Sequence, residues 1–201
     1  RTTSSNNVFR PEIFSRNTDV ESIVNELSNP DIVFVFYINS FSKPFPGKGN
    51  GETISVDDIP RFYQLEKHIN WRRMLSPEYL IKFELDGKEW ASVNHFLYAS
   101  KFKSACWEFY HEMSLDSDSA LSKDIDMAYA AAHKREGMYK GAVIRPKEFP
   151  LPPSLSEDEI KDLTYRATYA KFNQNKLFKT ILLETKDAKL VQLRREKESI
   201  R

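Results

Sequence analysis

The sequence predicts an α+β fold, mainly helical, forming a single compact domain with a small β-hairpin or sheet. Three observations lead there. The run Ile32-Val33-Phe34-Val35-Phe36-Tyr37-Ile38 is continuously β-branched or aromatic and bounded by turn residues, which marks a buried strand. Asp86-Gly87 stands between two extended segments, the signature of a two-residue hairpin loop. From Ser92 onward, capping residues followed by apolar positions at helical spacing recur almost to the end.

Composition narrows the function classes. The chain has 201 residues, of which 40% are hydrophobic and 29% charged, an ordinary globular profile for one domain. Lys+Arg 30 against Asp+Glu 29 leaves a net charge of +1, so nothing draws the whole molecule to nucleic acid or anionic lipid. Residues 32–38 are the longest apolar run and are too short to span a bilayer, so no membrane partner is expected. The lone Cys106 excludes an internal disulfide and fits a reducing compartment, cytoplasmic or nuclear. The chain starts at Arg1 rather than methionine and shows no signal-peptide core, so its ends are read as those of an excerpt.

Residues 1–16 read as an N-terminal arm or linker, residues 17–193 as the domain, and residues 194–201 as a charged tail. Thr18 and Glu21 have capping-box spacing, and Val20, Ile23, Val24 and Leu27 come next on one helical face. Ser55 and Asp57 are cap candidates for a helix through Ile59, Phe62, Tyr63 and Glu66. Residues 81–90 form the predicted hairpin. Ser92 caps a helix with Val93, Phe96, Leu97 and Ser100 on one stripe and Asn94, Tyr98 and Lys101 on another. Leu121, Ile125, Ala128, Tyr129 and Ala132 predict a helix closing near Gly137. Ser156 and Glu159 form a second capping box, for a helix that turns Ile160, Leu163 and Ala167 inward. Helical pattern continues through Leu177, Ile181 and Leu182 to Thr185, and again across residues 190–195.

Several motifs carry chemistry, each beside a plainer reading. Gly47, Lys48, Gly49 and Gly51 lie in a loop whose backbone N–H groups could hold a phosphate, although a surface loop is the commoner meaning of that composition. It fits neither the Walker A nor the dinucleotide pattern. His111-Glu112 lacks the second histidine of a zinc helix, and no metal or other cofactor is expected. The Trp71-Arg72 pair suits a base or a phosphate, and equally a packed tryptophan beside a surface arginine. Arg194, Arg195 and Lys197 alternate with acidic residues, so nucleic acid is a weak expectation.

The segment Lys82-Phe83-Glu84-Leu85-Asp86-Gly87-Lys88-Glu89-Trp90-Ala91-Ser92-Val93-Asn94-His95-Phe96, ending in Ala99-Ser100-Lys101-Phe102, resembles the NADAR (YbiA-like) family. That family's signature is a D-G-K-x-W hairpin followed by S-x-E-H-[YF] and a helix ending A-x-K-F. Phe36-Tyr37 with the loop at residues 43–52 resembles the family's opening, particularly in versions from large DNA viruses. Trp71-Arg72-Arg73-Met74-Leu75-Ser76 resembles its W-R-x-x-L-S motif, Lys171-Phe172-Asn173-Gln174 its K-F-x-Q block, and residues 182–191 its L-L-x-T-x-x-A-K-L-V block.

The resemblance implies a domain that cleaves N-glycosidic bonds of ribosides, including ribosylamino-pyrimidine phosphates and, in some branches, ADP-ribose on guanine. It implies a ligand site of Trp71, Arg72, Trp90, Ser92, His95, Tyr98, Lys101, Thr185 and Lys189, with the glutamate of S-x-E-H stabilising an oxocarbenium-like sugar or priming water. Here that position is Asn94, a carboxamide with no negative charge. Pro77 stands where L-S-N-F has asparagine, and residues 131–134 lack the family's glycines. The expectation is therefore a catalytically impaired module that binds ADP-ribose or another nucleotide sugar. The alternatives are a working glycosidase using Glu52, Glu84 or Glu89, or a structural protein, virus-encoded or a virion component, holding a protein partner through its arm or C-terminal helix.

Overall fold

Strand β1 (Asn29–Phe36) and strand β6 (Ala188–Gln192) lie side by side and parallel, with Phe34 opposite Leu190 and Phe36 opposite Gln192. They form the central sheet of an α+β, mainly helical architecture, seen in a computed structural model that describes residues 27–193. The arm, most of the helix expected from Thr18, and the charged tail lie outside the described residues.

β6 corrects the sequence expectation of a helix across residues 190–195. Helix α6 (Lys176–Glu184) ends where the Thr185 hydroxyl donates to the Leu182 carbonyl at 2.6 Å. Lys186 then takes a left-handed φ of 49°, which turns the chain, and the Asn29 amide bonds the Asp187 carbonyl. Residues 188–192 are extended because β1 offers them a partner. Locally, Leu190 and Val191 suit either structure.

The helix expected from Ile59 is a 3₁₀ segment, Ile59–Lys67, entered through Pro60. Its start is fixed by Ser55, whose hydroxyl accepts from the Asp58 amide at 3.1 Å, and not by Asp57. A short helix α1 (Trp71–Leu75) is next in the chain. The hairpin is as its sequence predicts: β2 (Phe83–Leu85) and β3 (Lys88–Trp90) join through Asp86 and Gly87, both at positive φ (54° and 69°), the type I′ requirement. Ser92 caps helix α2 (Val93–Ser100) by accepting from the His95 amide at 3.2 Å.

Helix α3 (Trp107–Glu112) comes next. The helix expected across residues 121–137 is broken into a 3₁₀ turn, Ala120–Ser122, and helix α4 (Ile125–His133), because the Asp124 carboxylate caps the Asp126 and Met127 amides at 2.9 Å. A two-residue hairpin of β4 (Met138–Tyr139) and β5 (Ala142–Val143) turns through Lys140 and Gly141, both at positive φ. Helix α5 (Glu157–Gln174) starts with the predicted capping box, Glu159 N–H to Ser156 Oγ at 3.3 Å and Ser156 N–H to Glu159 Oε2 at 2.8 Å. Ile160, expected inward, is exposed, while Ala167 is buried.

Two apolar clusters hold these elements together. One packs Phe34, Phe62, Trp71 and Ile181 between the central sheet, α1 and α6. The other packs Trp90, Phe96, Phe109 and Tyr110 under the hairpin. α5 serves both, giving Ala167 and Ala170 to the second and Phe172 to the first.

Candidate functional site

The glycine loop and α1 meet first. Trp71 packs edge-on to Phe34 at 5.3 Å and its indole N–H donates to the Pro44 carbonyl at 2.9 Å. The Arg72 guanidinium lies 4.2 Å from the Trp71 ring, grips both oxygens of Glu52, and donates to the carbonyls of Lys43 and Phe45. Glu52 in turn accepts from the amides of Gly47 and Gly49, each at 3.0 Å, and of Val35 at 3.3 Å. The loop is thus folded around an anion of its own. Its Gly47 and Gly49 donors point at Glu52, while Lys48 is exposed and Gly51 forms a turn at φ 79°.

A second group is interior. Trp90, Ser92, His95 and Thr185 are buried. The Trp90 N–H donates to the Leu85 carbonyl, and the Ser92 hydroxyl lies 2.8 Å from His95 Nδ1. Burial takes the His95 pKa down to about 4, against a smaller opposing pull from Asp124. Lys189 is half-buried on β6. The structure therefore places Trp71, Arg72, Trp90, Ser92, His95 and Thr185 inside the domain, where their hydrogen bonds run to other protein groups and His95 Nε2 has no partner.

A third group does come together. Asn94 donates its backbone N–H to the Pro77 carbonyl at 3.1 Å and its side-chain N–H to the Tyr98 hydroxyl at 3.2 Å. Tyr98 meets Tyr129 and His133 of α4 edge-on, at 5.7 and 5.0 Å. The Lys101 ammonium reaches the Ala132 carbonyl at 3.3 Å, and burial lowers its pKa. Burial raises the Tyr98 pKa, and the charge of Glu78 adds to it. Asp126 acts on Tyr98 in the same direction, more weakly than Glu78. The three carboxylates named from sequence are engaged elsewhere: Glu52 with Arg72, Glu89 with Lys82 at 2.7 Å, and Glu84 opposite Glu89 on the hairpin.

Beside Asn94 is a cavity of about 200 Å³. It opens at the carboxyl ends of the parallel strands, where Phe36 and Gln192 line it. Leu75, Pro77, Val93, Phe172, Leu182 and Leu190 form apolar walls. Thr164, Thr168 and Lys171, at i, i+4 and i+7 on α5, add a polar stripe. The Lys171 side chain is fully buried; its ammonium nitrogen donates to the Ser76 carbonyl at 2.7 Å and lies 5.1 and 5.4 Å from the Phe172 and Phe178 rings. Burial brings its pKa down to about 7.

The K-F-x-Q block includes Lys171 without giving it a role. The signal that could have found it was its place on the α5 face that carries Ala167 and Ala170, an odd position for a charge. Glu78 carried no such signal. Among the described residues no group of three His, Cys, Asp or Glu could hold a metal ion, and no helix is long and apolar enough to cross a membrane.

No protein-family model matches the chain. No curated protein matches it either. Among solved structures, the chain is similar to the NMR structure of the E. coli protein YbiA, at 21% identity and a TM-score of 0.42, over 81% of this chain and 67% of that one.

Proposed function

We propose that the chain is a nucleotide-sugar-binding module on an N-glycosidase-like domain, with hydrolysis impaired at Asn94. One observation carries this reading: blocks that are far apart in sequence line one cavity. Phe36, Leu75, Pro77, Val93, Lys171, Phe172, Leu182 and Leu190 come from the separate segments that resemble a single family of riboside-cleaving domains, and all face the same space. Unrelated packing residues would not be drawn so evenly from those segments.

The cavity's size and lining suit part of such a ligand. Ligand pockets commonly enclose roughly 300–1,000 Å³, so this smaller space takes one ring and leaves the rest on the rim. Asn94 adjoins the lining residue Val93 and bonds the carbonyl of the lining residue Pro77, so it is the polar group nearest that rim in the chain. Cleavage through a sugar cation needs a carboxylate beside the anomeric carbon, and an amide there lowers the rate by about 10²–10⁴. The charge of Glu78, which bears on Tyr98, favours a second reading, in which this carboxylate restores a working N-glycosidase.

Calorimetry with ADP-ribose tests binding, with measurable heat expected and Asn94→Ala and Tyr98→Phe each weakening it. No heat would leave the domain as a scaffold. Release of base from ribosylamino-pyrimidine phosphate and from ADP-ribosylated guanine tests hydrolysis. Little or none is expected, with a rise in Asn94→Glu. Turnover that Glu78→Gln abolishes would establish the second reading.

A further inference from the structure

We propose that the outer edge of β6 is a docking site for a second copy of this chain. Two β6 strands pair antiparallel about Val191 on a two-fold axis and join the two central sheets into one, of strand order β1-β6-β6-β1. The inference goes beyond the nucleotide-sugar reading and does not depend on it.

The two edges of the central sheet differ. β1 is closed on its outer side: Val33 exchanges both backbone bonds with Thr53, at 2.8 and 3.0 Å, and the Val35 amide donates to Glu52 Oε1 at 3.3 Å. On β6 the parity is set by Leu193, whose amide bonds the Phe36 carbonyl at 3.1 Å. Backbone direction alternates along a strand, so residues 189 and 191 turn their amides and carbonyls to β1, while Leu190 and Gln192 turn theirs away. Among the described residues no strand lies on that side, and no group hydrogen-bonds those amides and carbonyls. Leu190 is half-buried and Gln192 exposed. Backbone groups at such an edge are satisfied by water or by another strand, and a row of them invites the strand.

The residues along the edge select the partner and the register. In a pairing centred on Val191, Leu190 of each copy lies opposite Gln192 of the other. Each of those pairs exchanges two N–H···O=C bonds, so every open group of both residues is used. Val191 meets its symmetry mate as a β-branched pair at the closer, non-hydrogen-bonded spacing, and Lys189 meets Leu193, so no two ammonium groups face each other. The charges that flank the strand are complementary: Lys186-Asp187 of one copy is met by Arg195-Glu196 of the other, opposite in sign at both steps. A register centred on Leu190 would instead set Lys186 opposite Arg194. It would also need the Ala188 amide, which already donates to the Thr185 carbonyl at 3.1 Å. Residues 194–201 hold no Gly, Pro, Asn or Asp to turn them back along β6, which disfavours a hairpin within one chain. A net charge of +1 per copy opposes the approach only weakly.

The test is the oligomeric state of the full chain, read by sedimentation velocity over a range of concentrations. A dimer is expected with a Kd on the order of 10–100 µM, as suits a small interface. Gln192→Pro removes an N–H that points away from β1, a place where an edge strand tolerates proline. It should melt as the parent does and weaken the dimer at least about tenfold. Val191→Lys sets like charges across the axis and should block the dimer, while a mixture of Val191→Lys with Val191→Glu should associate one to one. In hydrogen exchange the Leu190 and Gln192 amides should be protected at high concentration and lose that protection on dilution. A monomer at every concentration, or a dimer that Gln192→Pro leaves equally tight, overturns the proposal. So does a charge-paired mixture that fails to associate. Protection of the two amides that dilution does not change also overturns it, by assigning the edge to residues 1–26 or 194–201 of the same chain.

Discussion

Arg72 and Glu52 meet side by side, with Nε to Oε1 at 2.5 Å and Nη2 to Oε2 at 2.6 Å, and neither side chain reaches solvent. Every remaining hydrogen bond of the pair runs to the backbone: three amides donate to the carboxylate and two carbonyls accept from the guanidinium. The pair ties the loop at residues 43–52 to β1 and α1. Such a pair is tolerated in an interior only when its other bonding sites are filled, as they are here.

Removing one member leaves the other buried and uncompensated. Arg72→Met and Glu52→Gln are each expected to lower the unfolding free energy by about 3–5 kcal/mol, read from urea denaturation. The double variant should cost less than the sum of the two. Single variants within about 0.5 kcal/mol of the parent would show that the pair does not hold the loop.

Two glycines separate steric cost from backbone cost. A Cβ on Gly49 would lie 2.6 Å from the Glu52 carboxyl carbon and 2.8 Å from Arg72 Nε, while one on Gly87 meets nothing within 4 Å but sits at φ +69°. Gly49→Ala should therefore displace the ion pair and cost about 1–3 kcal/mol, and Gly87→Ala about 1 kcal/mol through strain alone. In thermal melts Gly49→Ala should be the lower of the two; the reverse order would contradict the packing described for the loop.

His95 makes stability depend on pH. Its folded pKa of about 4 lies below the ordinary 6.5, so between those values the unfolded chain binds the extra proton. Stability from this group is complete above about pH 6.5 and falls as pH drops toward 4, by an amount on the order of 3 kcal/mol. His95→Gln should flatten that part of the profile. An unchanged slope would mean that the imidazole is solvated.

Two serine caps should differ in weight. Ser156 is exposed, and Ser156→Ala should cost about 1 kcal/mol. Ser92 is buried and also touches His95 Nδ1, so Ser92→Ala should cost about 2–3 kcal/mol by adding an unpartnered nitrogen to the lost cap. Equal losses in guanidinium titrations would assign Ser92 no role beyond the cap.

Features set by near neighbours were legible in the sequence. Asp86-Gly87 forms its turn from its own backbone preferences, and Ser92 and Ser156 cap helices within three residues of themselves. Features set across the chain were not. β6 is a strand only because β1, more than 150 residues earlier, lies beside it. Arg72 suggested a ligand contact because a guanidinium beside a tryptophan face suits a base or a phosphate, and its partner instead stands twenty residues away behind a glycine loop. The site divided in the same manner. The α2 stripe of Asn94, Tyr98 and Lys101 follows from helical spacing, whereas the burial of Lys171 against Ser76 is set only by tertiary packing.

The pairing of β1 with β6 also bears on how the protein is made. Vectorial synthesis releases β1 from the ribosome well before its mate exists, and long-range pairings of this kind form slowly. For that interval an apolar strand with open backbone bonds is at large among other chains, a template for aggregation. Nascent chains stalled short of residue 188 should therefore depend on chaperones, and those carried past residue 192 should shed that dependence.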